Sequence, residues 1–338
     1  MEKHFKFNKE SKTMKTFIGY ANDSDIRFKA SSGGVGSALI KYLFEKGDID
    51  YAITFIYNND LLQYRPLLID NYQDYQISGS IYHEIDMVKY LKENILTHTI
   101  SKQKSRIVLF CLPCQCLPIK KLLTKYNINA IIIGLTCSSQ QSLDATKYLL
   151  KRLHIKSTTI KYLQYRGNGW PSGIQIKRND EDSFIPNNNS LWSNIFHSRL
   201  FIPKKCFKCQ DTLNKNCDII LADPWLKEYI QHEKKGKTLF TAYTNEGENI
   251  INAALHNQYI TAKVVEDRLL YQSQSGTIKR KESYRRNGLI TQWMYRLFNA
   301  KIYRFFALKA CFFKFHCKLK NFIENKILTF NKINGNKQ

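Results

Sequence analysis

Short apolar runs alternate with amphipathic segments along the first half of the chain. The apolar runs at residues 51–56, 106–110 and 130–135 each have the length and the turn-like borders of a buried strand. Apolar residues recur at helical spacing in the segments between these runs, for example at residues 85–95. This alternation predicts an α/β fold with a mixed, largely parallel sheet and flanking helices.

The composition of the sequence and its pattern of apolar residues change along the chain and predict four parts. Residues 1–13 are polar and are expected to form a flexible arm, followed by an N-terminal α/β domain over 14–156. Residues 157–276 combine a glycine-rich hairpin tip with further strands and helices, which predicts a smaller α+β domain. Residues 277–338 hold 15 basic and 2 acidic side chains among many aromatic ones and predict a basic helical tail.

The charge of the 338-residue chain favours an anionic partner. Lys and Arg total 52 against 28 Asp and Glu, which gives a net charge of +24. Nucleic acid, an acidic membrane surface and phosphate-bearing cofactors all fit that charge. No apolar run approaches the roughly 18 residues of a membrane span, and the N-terminus lacks a signal-like apolar core. The sequence therefore predicts a cytoplasmic protein, with peripheral membrane contact through the tail left open.

Nine cysteines in a reducing compartment favour metal, cluster or catalytic roles over disulfides. Two C-x-x-C motifs occur, Cys111 with Cys114 and Cys206 with Cys209. Compact zinc sites separate such pairs by roughly 15 to 20 residues, whereas 91 residues, 115–205, lie between these two. An iron-sulfur cluster tolerates distant ligands because its cysteines need only converge in space.

The remaining cysteines have a simpler explanation. Free Cys is commonly a small apolar filler, and this interpretation is favoured for Cys311 and Cys317 in the tail. It also holds for Cys116 and Cys217, where a ligand role stays an alternative. The segment Ser31-Ser-Gly-Gly-Val-Gly36 at a helix start predicts either a tight turn or a phosphate-binding loop, and it is not a P-loop.

Several short motifs in a shared order resemble the coenzyme F420 hydrogenase/dehydrogenase beta-subunit family, over roughly residues 16–265. They are Ser31-Ser-Gly-Gly-Val35, Gly79-Ser-Ile-Tyr82, Leu112-Pro-Cys-Gln115, Cys137, Arg166-Gly-Asn-Gly-Trp170, Lys205-Cys-Phe-Lys-Cys-Gln-Asp211, Cys217-Asp-Ile-Ile-Leu-Ala-Asp-Pro-Trp225, Gly236-Lys-Thr-Leu239 and Thr244-Asn-Glu-Gly247.

The resemblance implies FAD, a [4Fe-4S] cluster and hydride exchange with coenzyme F420 or another two-electron partner. Carried over by position, it implies these cluster ligands: Cys114, Cys137, Cys206 and Cys209. It implies these residues on the flavin side: Ser32, Gly33, Gly34 and Arg166. A flavin accepts two electrons together and passes them on singly, which suits a position between a hydride carrier and a cluster.

The sequence departs from the family pattern in three ways, one of which is Ala222-Asp223 where the family has Gly-Asp. Many members carry a ferredoxin-like cysteine run, and none occurs before Cys111. The residues after Cys137 are Ser138-Ser-Gln-Gln141, where the family often has His-Gly-Val-Pro-Ser. The lack of such a run before Cys111 predicts that an electron-donor protein of ferredoxin type is needed.

Two functions follow from the sequence. The first is a flavin- and iron-sulfur-dependent oxidoreductase with a small-molecule substrate; some bacterial members act alongside surface-polysaccharide enzymes. The alternative is a non-catalytic, metal-stapled binding protein whose basic aromatic tail holds a membrane face or nucleic acid. Nucleic acid is the less favoured partner of the two.

Overall fold

A computed structural model of the protein describes residues 15–97 and 105–335. The predicted arm, residues 1–13, lies outside these ranges. The strands are β1 (Thr16–Ala21), β2 (Tyr51–Asn58), β3 (Gln63–Ile69), β4 (Arg106–Cys111), β5 (Asn129–Leu135), β6 (Ile160–Gln164), β7 (Gly173–Arg178), β8 (Ser183–Pro186), β9 (Ile219–Ala222), β10 (Thr238–Ala242) and β11 (Ile260–Val265).

The helices of the first 232 residues mostly connect or cover these strands. They are α1 (Ser24–Lys29), α2 (Val35–Glu45), α3 (Met87–Thr97), α4 (Pro113–Lys125), α5 (Asp144–Arg152), α6 (Leu191–His197), α7 (Lys204–Lys208) and α8 (Lys227–His232). The later helices are α9 (Asn245–His256), α10 (Arg268–Ser273), α11 (Ser275–Arg286), α12 (Gly288–Asn299), α13 (Lys301–Ala307) and α14 (Ala310–Gly335).

Eight strands form one mixed sheet in the order β11-β1-β10-β9-β5-β4-β2-β3. The four strands β9, β5, β4 and β2 in its middle are parallel to one another. Strand β3 pairs antiparallel with β2, and the remaining pairs, β9 with β10, β10 with β1 and β1 with β11, are also antiparallel. The predicted α/β class with a mixed sheet and flanking helices is therefore confirmed. Because parallel strands share a direction, β4, β5 and β9 all end at the same edge, where open α/β sheets place ligands.

The large sheet draws strands from both sides of the division predicted at residue 157. Strand β1 pairs antiparallel with β10 and β11, so that Phe17 lies opposite both Phe240 and Val264. Phe17 and Phe240 stack with ring centroids 5.3 Å apart, and both are buried in the core. The two halves of the chain are thus joined through a continuous hydrogen-bonded sheet.

A second, three-stranded antiparallel sheet, β6-β7-β8, extends the hairpin that the glycine-rich segment predicts. Its apolar face carries Leu163 and Ile174 into a core with Trp192 of α6. The same core takes in Phe298 of α12 and Phe313 of α14. The helical prediction for the C-terminal segment is confirmed, and its inner face belongs to the packed protein. Among the described residues, no helix has both the length and the apolar character to cross a bilayer.

Candidate redox site

A cavity of about 870 Å³ opens at the carboxyl edge of the parallel strands. Its wall includes Leu112 after β4, Cys137 after β5 and Asp223 after β9. The loop that leads into α2 forms another part of the wall, and aromatic side chains such as Tyr82 and Trp192 line it further. This volume is in the range of sites that enclose a drug-sized or cofactor-sized ligand.

The glycine-rich loop forms a backbone cradle beside this cavity. Ser32 and Gly34 line the cavity, whereas Gly33 packs behind them. A Cβ on Gly33 would lie 2.6 Å from Gly19 O and 2.7 Å from Thr238 N, so only glycine fits there. Gly34 has a left-handed φ of 77° and precedes the first turn of α2 without a capping side chain. The N–H groups of that turn, which helix geometry leaves without intrahelical acceptors, are available to an anionic ligand.

The Ser32 hydroxyl and the Gly33 N–H are used within the protein. Ser32 Oγ donates to Lys237 O at 2.5 Å, and Gly33 N donates to Thr238 Oγ1 at 2.9 Å. These bonds fix the loop against β10. Ser32 and Gly33 would therefore support ligand binding by holding the glycine-rich loop in position.

Arg166 is 2% exposed and forms a two-pronged ion pair with Asp223. Its Nη1 and Nη2 atoms lie 2.7 Å and 2.9 Å from the two carboxylate oxygens, and Nη2 also donates to Ser31 O at 2.5 Å. Trp170 Nε1 donates to Asp223 Oδ1 at 3.0 Å. Burial alone would lower the pKa of Arg166, but the Asp223 charge outweighs it and raises that pKa. The pair ties the glycine-rich loop, the hairpin tip and the end of β9 together at the cavity wall.

The four thiols named as cluster ligands come from three separate places in the fold. Cys114 lies in the first turn of α4, Cys137 follows β5, Cys206 lies in α7, and Cys209 ends that helix. They are close enough that Cys137 interacts electrostatically with each of the other three thiols. The backbone N–H of Gln140 donates to Cys206 Sγ. The structure thus brings the two C-x-x-C segments and the loop after β5 to one place.

Burial favours the neutral form of three of these thiols, those of Cys114, Cys137 and Cys206. Burial raises the pKa of Cys137 to about 12, although the Lys281 ammonium acts in the opposite direction. Burial also raises the pKa of Cys114 and of Cys206. Because metals bind thiolates, iron binding here has to displace protons.

Four cysteine thiols are the ligand set of a [4Fe-4S] cluster and also of some zinc sites. Within residues 15–97 and 105–335, no three His, Cys, Asp or Glu side chains converge as ligands of one ion. A zinc ion would need four sulfurs each about 2.3 Å from the metal. In a [4Fe-4S] cluster each thiolate binds a different iron, so the sulfurs stand farther apart around a larger object. Four cysteine thiols supply the four ligands that such a cluster takes.

Lys281 is a site residue that sequence reasoning misses. Its ammonium is buried, with the residue 3% exposed, and donates to Cys209 Sγ at 3.4 Å and to Asp211 O at 2.5 Å. A cation beside a cluster sulfur favours the more negative, reduced state. The sequence offers no signal for this role, since Lys281 is one of many basic residues in the C-terminal segment.

The other cysteines lie apart from the four facing thiols. Cys111, Cys116 and Cys217 are almost fully buried in the core beneath the sheet edge. The Cys111 and Cys116 thiols hydrogen-bond to each other. Cys317 is half-buried and Cys311 is exposed on α14.

Two family models match the chain, and both are described as the beta subunit of coenzyme F420 hydrogenase/dehydrogenase. The model of its N-terminal part matches residues 16–92, and the model of its C terminus matches residues 104–268. Together they cover well over half of the 338 residues. A chain of the F420-reducing [NiFe] hydrogenase complex from Methanosarcina barkeri has the same fold, with a TM-score of 0.61. The alignment has 16% identity and covers 82% of this chain and 91% of that chain.

Proposed function

Because the chain belongs to the coenzyme F420 hydrogenase/dehydrogenase beta-subunit family and is an oxidoreductase of that type, we propose that it works with FAD and one [4Fe-4S] cluster. One observation carries the proposal. Cys137 lines the large cavity and at the same time faces the other three thiols. A flavin in the cavity and a cluster on the thiols would therefore be neighbours, as electron transfer between them requires.

The residues divide between the two cofactors. The first turn of α2 and Gly34 would hold the flavin phosphates, while Tyr82 and Trp192 provide apolar wall for its rings. Cys114, Cys137, Cys206 and Cys209 would hold the cluster. When bound, the flavin supplies exchange between two-electron and one-electron transfer. The protein's own part is to fix the cradle, exclude water and hold the thiols at the cavity wall.

The two-electron side of the reaction is proposed to use a hydride carrier or a small-molecule substrate. Coenzyme F420 is one such carrier, and the family match supports it. Surface-polysaccharide metabolism is the setting we propose for a substrate other than F420. The cavity is large enough to hold a ligand group beside a flavin ring.

The one-electron side is proposed to meet an acidic, ferredoxin-like donor protein. Cys114 is exposed, so the cluster would approach the surface there. Lys205 next to it is 57% exposed in its side chain, and Lys208 is also exposed. Basic groups around a redox centre steer an acidic partner to it. The similar solved chain belongs to a hydrogenase complex, which also supports a partner. A thiolate-bound cluster and reduced cysteines favour a cytoplasmic setting for this reaction.

Anaerobic reduction of the whole protein tests the proposed function. When a hydride donor such as reduced F420 is added to FAD-loaded protein, we expect flavin bleaching together with a new cluster signal in electron paramagnetic resonance. The loss of flavin absorption and the appearance of the cluster signal should occur at the same donor concentration, because the two centres exchange electrons. A colourless protein that contains zinc would contradict the proposal and favour a metal-stapled binding protein.

The glycine cradle yields a prediction about flavin retention. Gly33→Ala is expected to destabilise the protein by about 1–3 kcal/mol and to lower the FAD content of purified protein, because the added Cβ meets backbone atoms of two strands. Gly288→Ala is the control, since a Cβ there meets nothing within 4 Å. Thermal unfolding and FAD released on denaturation are the measurements. Equal FAD content in the two variants would show that the loop does not form the flavin site.

The outer face of the C-terminal helices supports peripheral membrane contact. Phe305, Phe306 and Phe312 form a continuous exposed aromatic patch, with ring centroids 5.4 Å and 6.1 Å apart along it. Lys309 lies over two of these rings. No Asp or Glu occurs over residues 283–323, which hold nine Lys and Arg. Protein interfaces are depleted in Lys, whereas an anionic lipid surface attracts Lys beside inserted aromatic rings.

Vesicle binding tests this face. The double variant Phe305→Asp, Phe306→Asp is expected to lose most of its binding to vesicles of phosphatidylcholine with phosphatidylglycerol in a sedimentation assay. Phe184→Asp, which replaces a 58% exposed Phe on β8, is expected to bind like the unmodified protein. Binding of the double variant at the unmodified level would exclude the membrane contact.

A further inference from the structure

Three basic side chains and a single carboxylate lie between the large cavity and the C-terminal helices. Arg199, Arg280 and Lys320 supply three positive charges, and Glu324 supplies one negative charge. Arg199 is 2% exposed and Lys320 is 4% exposed. Buried charges are normally paired because removing them from water is costly. This group has two more positive than negative charges.

The Glu324 carboxylate is already fully used. Its Oε1 atom accepts from Arg199 Nε at 3.1 Å and from the Tyr284 hydroxyl, and its Oε2 atom lies 3.1 Å from Lys320 Nζ. Burial disfavours this charge, but Arg199 and Lys320 outweigh it and lower the pKa of Glu324 to about 2. Glu324 thus stays ionised at any physiological pH and has little capacity left for Arg280.

Arg199 keeps one donor atom without an acceptor. Its Nη1 atom is buried and has no hydrogen-bond partner among the described residues. Ser139 Oγ, on the loop after Cys137, is likewise buried and unpartnered there. Both residues line the large cavity. Buried polar groups in native proteins nearly always have a partner, which here would have to be a ligand or water.

Arg280, on α11, lines the same part of the large cavity. Its Nη2 atom donates to Ser138 Oγ at 2.9 Å and to Ser138 O at 3.0 Å, both neutral acceptors. Burial and the nearby Arg199 charge lower the pKa of Arg280 to about 10, which still leaves it charged at neutral pH. His197 also lines the cavity; the residue is exposed overall, but desolvation of its ring together with the Arg199 charge lowers its pKa. Arg199 Nη1 and Ser139 Oγ therefore lie unpartnered beside a guanidinium that has only neutral hydrogen-bond acceptors.

From this geometry we infer that Arg199, Arg280 and Ser139 form a subsite for an oxyanion, a carboxylate or phosphate group carried by the substrate. Such a group would accept from Arg199 Nη1, from the guanidinium of Arg280 and from Ser139 Oγ, and its charge would offset the excess of cations. The subsite follows directly on Cys137 at the cavity wall. A substrate held there by its anionic group would lie beside the proposed flavin and cluster.

Two of the elements that build this subsite lie outside the family match. Arg280 and Glu324 belong to α11 and α14, whereas the matched residues end at 268. Ser139 and Arg199 lie within the matched residues, and Arg280 comes from the C-terminal helices beyond them. Its assignment to a substrate rests on the proposed function, but the binding of an oxyanion by these residues does not.

Inorganic phosphate and acetate are suitable probes. The protein to be titrated is the full-length chain, purified without oxygen and loaded with FAD. We expect isothermal titration calorimetry to show binding of phosphate, of acetate or of both. The tighter of the two shows whether the subsite prefers a phosphate or a carboxylate group. Arg280→Gln is expected to weaken that affinity about tenfold or more, since it removes a charged donor. Lys279→Gln is the matched control, because it removes the same charge from an exposed neighbouring position on α11.

The results of this titration distinguish failure of the oxyanion subsite from failure of the proposed function. Equal weakening by Arg280→Gln and Lys279→Gln, or no binding of either probe, would overturn the subsite. Binding that occurs only in protein freed of FAD, and not in the FAD-loaded protein, would also overturn it, because the oxyanion would then occupy the place of the cofactor. Arg280-dependent binding by protein that takes up neither iron nor FAD would support the subsite and contradict the proposed function instead.

Discussion

Cys137→Ser is expected to abolish most of the iron content of the protein purified without oxygen. Cys137 interacts electrostatically with all three other proposed ligand thiols and also lines the cavity, so its loss removes the proposed ligand between the cluster and the cavity. Serine is nearly the same size but is a poor ligand for iron at neutral pH. Iron per chain and the broad absorption near 400 nm, roughly where such clusters absorb, are the measurements.

Cys311→Ser is the matched control for this experiment. Cys311 is exposed on α14, away from the four facing thiols, and its replacement should leave both the iron and the absorption unchanged. Cys206→Ser is expected to behave like Cys137→Ser. Full iron retention by either ligand variant would remove that cysteine from the set. Iron loss in Cys311→Ser as well would indicate a general effect of thiol removal.

Asp223→Asn is expected to lower the free energy of unfolding by about 3–5 kcal/mol, the usual cost of leaving one member of a buried ion pair uncompensated. Asn has the same shape, so the change isolates the charge. Arg166 would keep its buried guanidinium, with its side chain 3% exposed, facing a neutral amide. Because this pair joins the loop before α2 to the end of β9, we also expect loss of bound FAD. Chemical denaturation under anaerobic conditions measures the first effect and fluorescence of released flavin the second.

Glu266→Gln supplies the comparison for Asp223→Asn. Glu266 pairs with Arg268, but both side chains are about two-thirds exposed. An exposed pair of this kind contributes less than about 1 kcal/mol, so this variant should unfold almost like the unmodified protein. Similar losses in both variants would mean that the Arg166 and Asp223 pair is no more important than a surface contact.

The sequence predicted the middle of the fold well because its signals there are local. The apolar runs in the sequence predicted strands β2, β4 and β5, and the alternation of strands and helices predicted that these strands are parallel. Since the ends of parallel strands lie at one edge, the residues following β4 and β5 could be expected at one site. Cys114 and Cys137 do lie at that edge, and the structure adds Cys206 and Cys209 beside them. Their role as cluster ligands stays a proposal.

Long-range pairing could not be predicted from local patterns. Strand β1 has an ordinary apolar pattern, which does not reveal that it inserts between β10 and β11. Helix α4 begins at Pro113, earlier than its apolar spacing from about residue 119 predicts, because proline suits the first turn of a helix. This start places Cys114 in the first turn of α4.

The C-terminal segment is where sequence reasoning was least informative about the site. Its composition predicts basic helices, and the structure contains them. Composition does not distinguish Arg280 and Lys281, which reach the site, from Lys279, which is exposed on the same helix. Only the packing of α11 and α14 against the cavity separates these roles. The buried Arg199 and Glu324 pair, 125 positions apart, is equally invisible in one sequence.

Iron, sulfide and FAD per chain, measured together on protein purified or reconstituted without oxygen, test the central claim most directly. A single [4Fe-4S] cluster beside one flavin predicts about four irons, about four sulfides and about one FAD for each chain. Zinc in place of iron, or iron without acid-labile sulfide and without flavin, would contradict the account.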